Sequence, residues 1–206
     1  HGLMVVDVGG GHTSPFAKRR TQPNTFVLAV DILFEQIANN PDSNAGFVCD
    51  VCTSIPLKDS SADLIVSRSV LEHLPNNDAF IAECYRALKP GGRAIHVCPT
   101  RRAPFALINR IIPNSLTRKL IKTFFPQWAE ECGFPTFYDR CSYPELPRLH
   151  ERHGLKIEEL HLRYYQSIYF KPFLPIYLIS VTYDLILWAL QIRFLCSQIL
   201  IVARHP

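Results

Sequence analysis

The sequence predicts an α/β domain built on a doubly wound, mostly parallel sheet. Three observations carry that prediction: short apolar runs alternate with helical stretches, the first run ends in an acid and a glycine turn, and 48% hydrophobic against 19% charged residues in 206 supports a sizeable core. Strand-like runs cover residues 3–8, 26–31, 46–49, 62–67 and 93–98. Each is short and apolar, as strands buried on both faces are. Helical stretches fall at 15–20, 33–39, 70–74 and 78–88, the last with Phe80, Ile81, Cys84, Tyr85 and Leu88 at helical spacing. Strands joined through helices run parallel with right-handed crossovers. Lys89-Pro90-Gly91-Gly92 is expected to stop the fourth helix and turn the chain into the fifth strand.

From Thr100 to Cys141 this rhythm breaks, with prolines at 104, 113, 126 and 135 among many aromatics. The stretch reads as a cap inserted after strand five, where loops at the carboxyl ends of parallel strands build a ligand crevice. A hydrophobic subdomain packed on itself is the other reading. Ser142 and Glu145 form a capping box for a helix that Gly154 ends. A sixth strand follows at 155–163, a helix at 175–195 and a last strand at 197–203. Residues 173–190 are almost continuously apolar. Asp184 within the run and Pro172 and Pro175 at its start argue against a membrane span. A helix buried between sheet and cap is expected, with peripheral membrane contact through 173–193, flanked by Lys171 and Arg193, as the alternative.

A net charge of +4 with scattered basic residues gives no nucleic-acid surface. Seven cysteines without regular spacing, and no secretory leader in the sequence, point to a reducing, cytoplasmic setting without disulfides. Cys49 and Cys52 have metal-like spacing and His150 and His153 offer further ligands, but the pairs are read as a buried strand and a distant surface helix, so no metal is expected. One domain is expected over 1–206, with a helix ahead of strand one missing because the chain enters strand pattern by Leu3.

The chemistry begins at Asp7-Val8-Gly9-Gly10-Gly11-His12-Thr13. Glycines at a strand end admit positive φ and let a ligand approach the backbone. A dinucleotide fingerprint would need glycine at 14, where Ser14 stands, and Asp7 would repel a pyrophosphate while welcoming a cationic amine. Asp31 ends strand two, where an acid can hold ribose hydroxyls, and Asp50 follows strand three, where it can accept an adenine amine. A nicotinamide-dependent oxidoreductase is therefore disfavoured.

The ordered set Asp7-x-Gly9-x-Gly11, Asp31, Asp50, Asp63 to Ser67, Leu71-Glu72-His73-Leu74 and Arg86-Ala87-Leu88-Lys89-Pro90-Gly91-Gly92 resembles the class I S-adenosylmethionine-dependent methyltransferases, closely over residues 3–99. The resemblance implies a Rossmann-like, seven-stranded, mostly parallel sheet with an antiparallel last strand. It also implies S-adenosyl-L-methionine as cofactor: Asp7, Gly9, Gly10 and Gly11 at its methionine part, Asp31 and Ile32 at the ribose, Asp50 and Val51 at adenine, and Ser67 beside the sulfonium. The activity implied is methyl transfer to a small-molecule or lipid-like acceptor. A non-catalytic cofactor-, membrane- or partner-binding module on the same fold is the alternative. For proton removal from an acceptor the candidates are His73, Tyr138 and Asp139; His73 has a structural reading as an anchor for the helix after strand four. Arg101 and Arg102 either meet an anionic acceptor or face solvent.

Overall fold

The computed structural model describes residues 2–14, 24–111 and 134–206, with residues 119 and 123 between the last two segments. Seven strands form one sheet: β1 (Leu3–Val8), β2 (Thr25–Asp31), β3 (Ala45–Val48), β4 (Ala62–Arg68), β5 (Leu88–Pro99), β6 (Lys156–Arg163) and β7 (Gln198–Arg204). Their order is β3-β2-β1-β4-β5-β7-β6. The first five pair in parallel, and β7 runs antiparallel to both β5 and β6. This is the predicted sheet, reversal of the last strand included.

Register decides which side chains share a face. Val6 and Val8 on β1 align with Ile65 and Ser67 on β4, and their face carries the main core, packed with Phe80, Ile81 and Cys84 of helix α2 (Asn77–Ala87) and Leu146 and Leu149 of α4 (Glu145–Arg152). Asp7, one residue along, points to the opposite face, where Val5, Val27 and Leu64 form a smaller cluster. The strand ends of β1 and β2 are laced together by Gly9 N–H donating to Val30 O at 2.8 Å.

Other elements are shorter than their patterns suggest. The expected helix at 33–39 narrows to α1 (Phe34–Ile37), and that at 70–74 to a 3-10 turn over Leu71–His73. The 15–20 helix and most of the cap, beyond α3 (Pro104–Ile111), lie outside the described residues. The Lys89–Gly92 turn falls inside a strand: helix α2 stops at Ala87, Leu88 already pairs with Ala62, and the chain loops out before Arg93 rejoins at Leu64. Gly91, at φ +82, supplies the backbone that this excursion needs. The capping box is also corrected. Helix α4 starts at Glu145, and the Ser142 hydroxyl donates to the Glu145 carboxylate itself.

The largest correction concerns the terminal helix, α5 (Leu174–Leu190), which is not buried between sheet and cap. It turns only Ser180, Asp184 and Leu187 inward. Those positions make one stripe, and the stripe is mostly polar. Asp184 Oδ2 explains it by accepting the backbone N–H groups of Gln166 at 3.0 Å and Ser167 at 2.9 Å. The outward side chains are Leu, Ile and Trp. None of the helices among the described residues is long and apolar enough to cross a membrane.

Candidate active site

The carboxyl ends of β1, β2 and β4 meet at the glycine turn. Gly9 has φ +69, and a Cβ there would lie 2.3 Å from Val70 Cγ2, so the turn and the chain leaving β4 are in contact only because position 9 lacks a side chain. Gly11 has φ +48, and a Cβ there would meet Gln36 Oε1 and Gly9 O at 3.8 Å, an ordinary contact distance, so it is the backbone conformation that calls for glycine. Asn40 holds the turn from the far side: its Nδ2 donates to Gly10 O at 3.1 Å and Gly11 O at 2.9 Å. Sequence reading missed Asn40. Its signal, an amide in the Asn39-Asn40-Pro41 loop, looks like ordinary turn chemistry.

Asp7 is buried at the end of β1, and burial pushes its carboxyl up to about 6, against the opposing pull of the Ser14 hydroxyl and the Arg68 charge. The Ser14 hydroxyl donates to Asp7 Oδ2. Ser14, noticed in the sequence for the glycine it displaces, is thus a partner of the acid. Asp31 is half-buried and accepts the Leu33 N–H at 3.2 Å through Oδ1, beside the exposed Ile32. Asp50 is exposed, and its two oxygens accept from Cys52 N–H at 2.9 Å and the Thr53 hydroxyl at 3.4 Å, which shapes its loop above the buried Val51. Acids therefore stand at three neighbouring strand ends around the glycine turn. That donor set fits a cation at Asp7 and paired hydroxyls at Asp31.

Ser67 is placed differently from the expectation. Its hydroxyl is fully buried and lies 2.7 Å from His96 Nδ1, on the sheet face opposite Asp7, where His96 packs edge-on to Phe80 and beside His150. Only the Ser67 backbone is left to border the crevice. His150, expected on a surface helix, is buried as well, with Nδ1–H donating to Leu146 O at 2.8 Å. Burial drives both histidines toward the neutral form, His150 down to about 4 and His96 well below its usual value. No cluster of metal-ligating side chains occurs among the described residues.

The three proposed proton acceptors are used to fasten the cap. His73 Nδ1–H donates to Pro135 O at 2.9 Å and its ring meets Phe134 edge-on. Tyr138 is buried, its N–H bonds to Glu72 O at 3.0 Å, and burial raises its phenol far above the usual range. Asp139 caps α2: its Oδ2 accepts Asn77 N–H at 2.9 Å and its carbonyl accepts Asn77 Nδ2 at 2.6 Å. Arg140 reaches Asp78 at 2.8 Å. Arg101 pairs with Glu145 at 2.9 Å, and Arg102 lies over the Phe194 ring.

Beside these cap contacts lies a buried titratable group, Glu72, whose carbonyl accepts the Phe137 and Tyr138 N–H groups. It follows β4, is buried, has no hydrogen-bond partner at Oε2, and desolvation raises its carboxyl to about 8. Its charge is felt by Cys98 at the end of β5, by Tyr138 in the cap and by Tyr169 after β6. Four segments converge on it. The motif Leu71-Glu72-His73-Leu74 was visible in the sequence, but its histidine drew the attention because glutamate rarely sits buried.

A mixed sheet in this strand order, with a glycine turn and acids at its carboxyl edge, defines the fold of the class I S-adenosylmethionine-dependent methyltransferases. Residues 6–96 match the methyltransferase domain family. The chain is 29% identical over 125 residues to an arsenite methyltransferase of Halobacterium salinarum, covering 56% of this chain and 32% of that protein. It is 27% identical over 158 residues to the chloroplastic 2-methyl-6-phytyl-1,4-hydroquinone methyltransferase of Spinacia oleracea, covering 74% of this chain and 45% of that protein. Among solved structures, the geranyl diphosphate C-methyltransferase of Streptomyces coelicolor superposes with a TM-score of 0.64 at 14% identity, over 99% of this chain and 73% of that one. An S-adenosylmethionine-dependent methyltransferase from Mesorhizobium loti superposes with a TM-score of 0.61 at 19% identity, over 98% and 91%. The chain spans about a third or less of the length of the first curated relatives it matches.

Proposed function

We propose that this chain binds S-adenosyl-L-methionine at the carboxyl edge of its sheet and transfers a methyl group to a small, lipid-like acceptor in the cytoplasm. The observation that carries the reading is the trio of acids, Asp7, Asp31 and Asp50, at adjacent strand ends around the Gly9–Gly11 turn. In this reading Asp7 receives the cationic amino end, Asp31 accepts from the ribose hydroxyls, and Asp50 with Val51 borders adenine. When bound, the cofactor supplies an electrophilic methyl on a sulfonium.

The chain's own residues then have three tasks. The glycine turn and Asn40 fix the backbone against which the ligand lies, a positioning effect that matters more in methyl transfer than strong acid or base. The cap, fastened through His73, Asp139 and Arg140, excludes water. Glu72, whose carboxyl burial raises to about 8, would take the proton of an acceptor nucleophile through its ionised fraction, which grows as pH rises toward 8. Three relatives named for arsenite, a phytyl hydroquinone and phosphoethanolamine lend support to a small acceptor. The exposed Ile32, Leu33 and Phe34 beside Asp31 favour the lipid-like end of that range.

Transfer of tritium from labelled S-adenosylmethionine to fractionated lipids and polar metabolites tests this reading. Label in a lipid fraction, lost in Glu72→Gln with cofactor binding retained, is expected. Binding of cofactor with no transfer to any fraction would favour a non-catalytic module.

A further inference from the structure

Helix α5 is inside out. Its inward stripe holds Ser180, Asp184 and Leu187, while Leu174, Ile179, Leu185, Trp188 and Leu190 are each between 58% and 70% exposed. At about 100° per residue these outward positions, with their neighbours, sweep roughly two thirds of the helix circumference. A helix that packs on one partner helix needs an apolar stripe much narrower than that. A medium that surrounds the helix on all sides but one does need it. Asp184 fixes which side stays attached, through its bonds to the Gln166 and Ser167 N–H groups.

Charge points the same way. Asp184 is the single acidic residue between positions 163 and 198, and it faces inward, whereas Lys171 and Arg193, three residues before and three after the helix, are exposed, as is Arg163 at the end of β6. Two copies of this face would bring like charges together. An anionic surface would neutralise them. With 17 residues the helix is about 25 Å long, so it lies along such a surface and does not cross it.

We propose that α5 docks the protein on an anionic lipid surface, with its apolar arc seated at the boundary of headgroups and acyl chains and Lys171, Arg193 and Arg163 on the headgroups. The docking helix is joined to the crevice by a short path. Gln166, held by Asp184, accepts the Phe105 N–H at 3.1 Å through Oε1, and Phe105 at the start of α3 stacks on Tyr169 at 4.5 Å, the tyrosine that feels Glu72. An acceptor dissolved in the membrane would thereby enter beside the helix without passing through water. That last step rests on the proposed methyl transfer; the docking does not.

The test uses the full chain carrying Trp128→Phe, which leaves Trp188 as the only tryptophan. It is mixed with phosphatidylcholine vesicles with and without phosphatidylglycerol. Expected are co-sedimentation with the anionic vesicles, a blue shift of Trp188 emission and quenching by brominated acyl chains. Ile179→Gln/Leu185→Gln should lower the partition coefficient about tenfold or more, and Lys171→Glu/Arg193→Glu should abolish the preference for phosphatidylglycerol. Protein that stays in the supernatant with both vesicles overturns the proposal. So does sedimentation unchanged by the Ile179→Gln/Leu185→Gln pair. A Trp188 emission already blue-shifted without lipid, in a particle of twice the monomer mass by light scattering, would assign the face to a second copy instead. Calorimetry with S-adenosylmethionine on the same protein, read without vesicles, separates failure of docking from failure of the cofactor reading.

Discussion

The glycine-turn edge and helix α5 handle carboxylates in opposite ways. At the edge, acids are gathered at strand ends with room for a ligand: Asp31 keeps one oxygen clear of the bond to Leu33, and Asp7 has only Ser14. On α5 the acid is turned into the protein, where its Oδ2 accepts two backbone N–H groups while Oδ1 is buried without a partner, and the apolar side chains are left outside. The first arrangement spends folding stability to keep charge available. The second uses charge as an anchor so that a hydrophobic surface can be presented. A single chain thus uses carboxylates both at strand ends beside a glycine turn and as an inward anchor for backbone N–H groups.

The comparison breaks most readily at its anchor. Asp184→Ala removes the acceptor of two backbone N–H groups and leaves them buried, so a loss of about 3 kcal/mol in urea unfolding is expected, whereas Ile179→Gln, on the outward arc, should stay within about 0.5 kcal/mol. Similar losses in the two variants would remove the distinction. The buried pair His96 and His150 gives a pH signature. Both are neutral in the fold, with folded values below that of the unfolded chain, so stability is complete above about pH 6.5 and declines as pH falls toward 4, by about 1.4 kcal/mol per unit for each histidine. Thermal unfolding followed from pH 7 to pH 5 checks this, and His150→Asn should flatten the slope.

Glu72 has the opposite sign. Its folded value of about 8 lies above that of an unfolded carboxylate, so the stability its protonated form retains at low pH is lost as pH rises through 8. Glu72→Gln should therefore stabilise the protein by about 4 kcal/mol at pH 8 and leave it nearly unchanged at pH 4. The smallest effect is expected at Asp7. With its carboxyl near 6, a cationic ligand should bind more weakly below that pH, by up to about tenfold per unit, and calorimetric titrations at pH 5 and pH 7 would show it.

Much of this was legible in the sequence because parallel strands and glycine turns leave strong local patterns. Asp7, Asp31 and Asp50 are each at the strand end where their spacing puts them, and the antiparallel closing strand followed from the resemblance. What sequence could not supply was facing. Ser67 ends up on the histidine side because strand side chains alternate, a one-residue matter that no motif reports. His73 and Asp139 carry reactive groups, yet both are spent on cap and helix N-terminus through bonds spanning 62 positions. Helix α5 misled for a related reason: an apolar run reads as core, and only the position of Asp184 on the wheel reveals which side is held.

The most direct measurement of the central assignment is isothermal titration of the chain with S-adenosylmethionine, run in parallel on Asp31→Ala. Saturable one-to-one binding, weakened about tenfold or more when the Asp31 carboxylate is removed, is the expected result. Absence of binding by the wild-type chain, or affinity unchanged in Asp31→Ala, would contradict it.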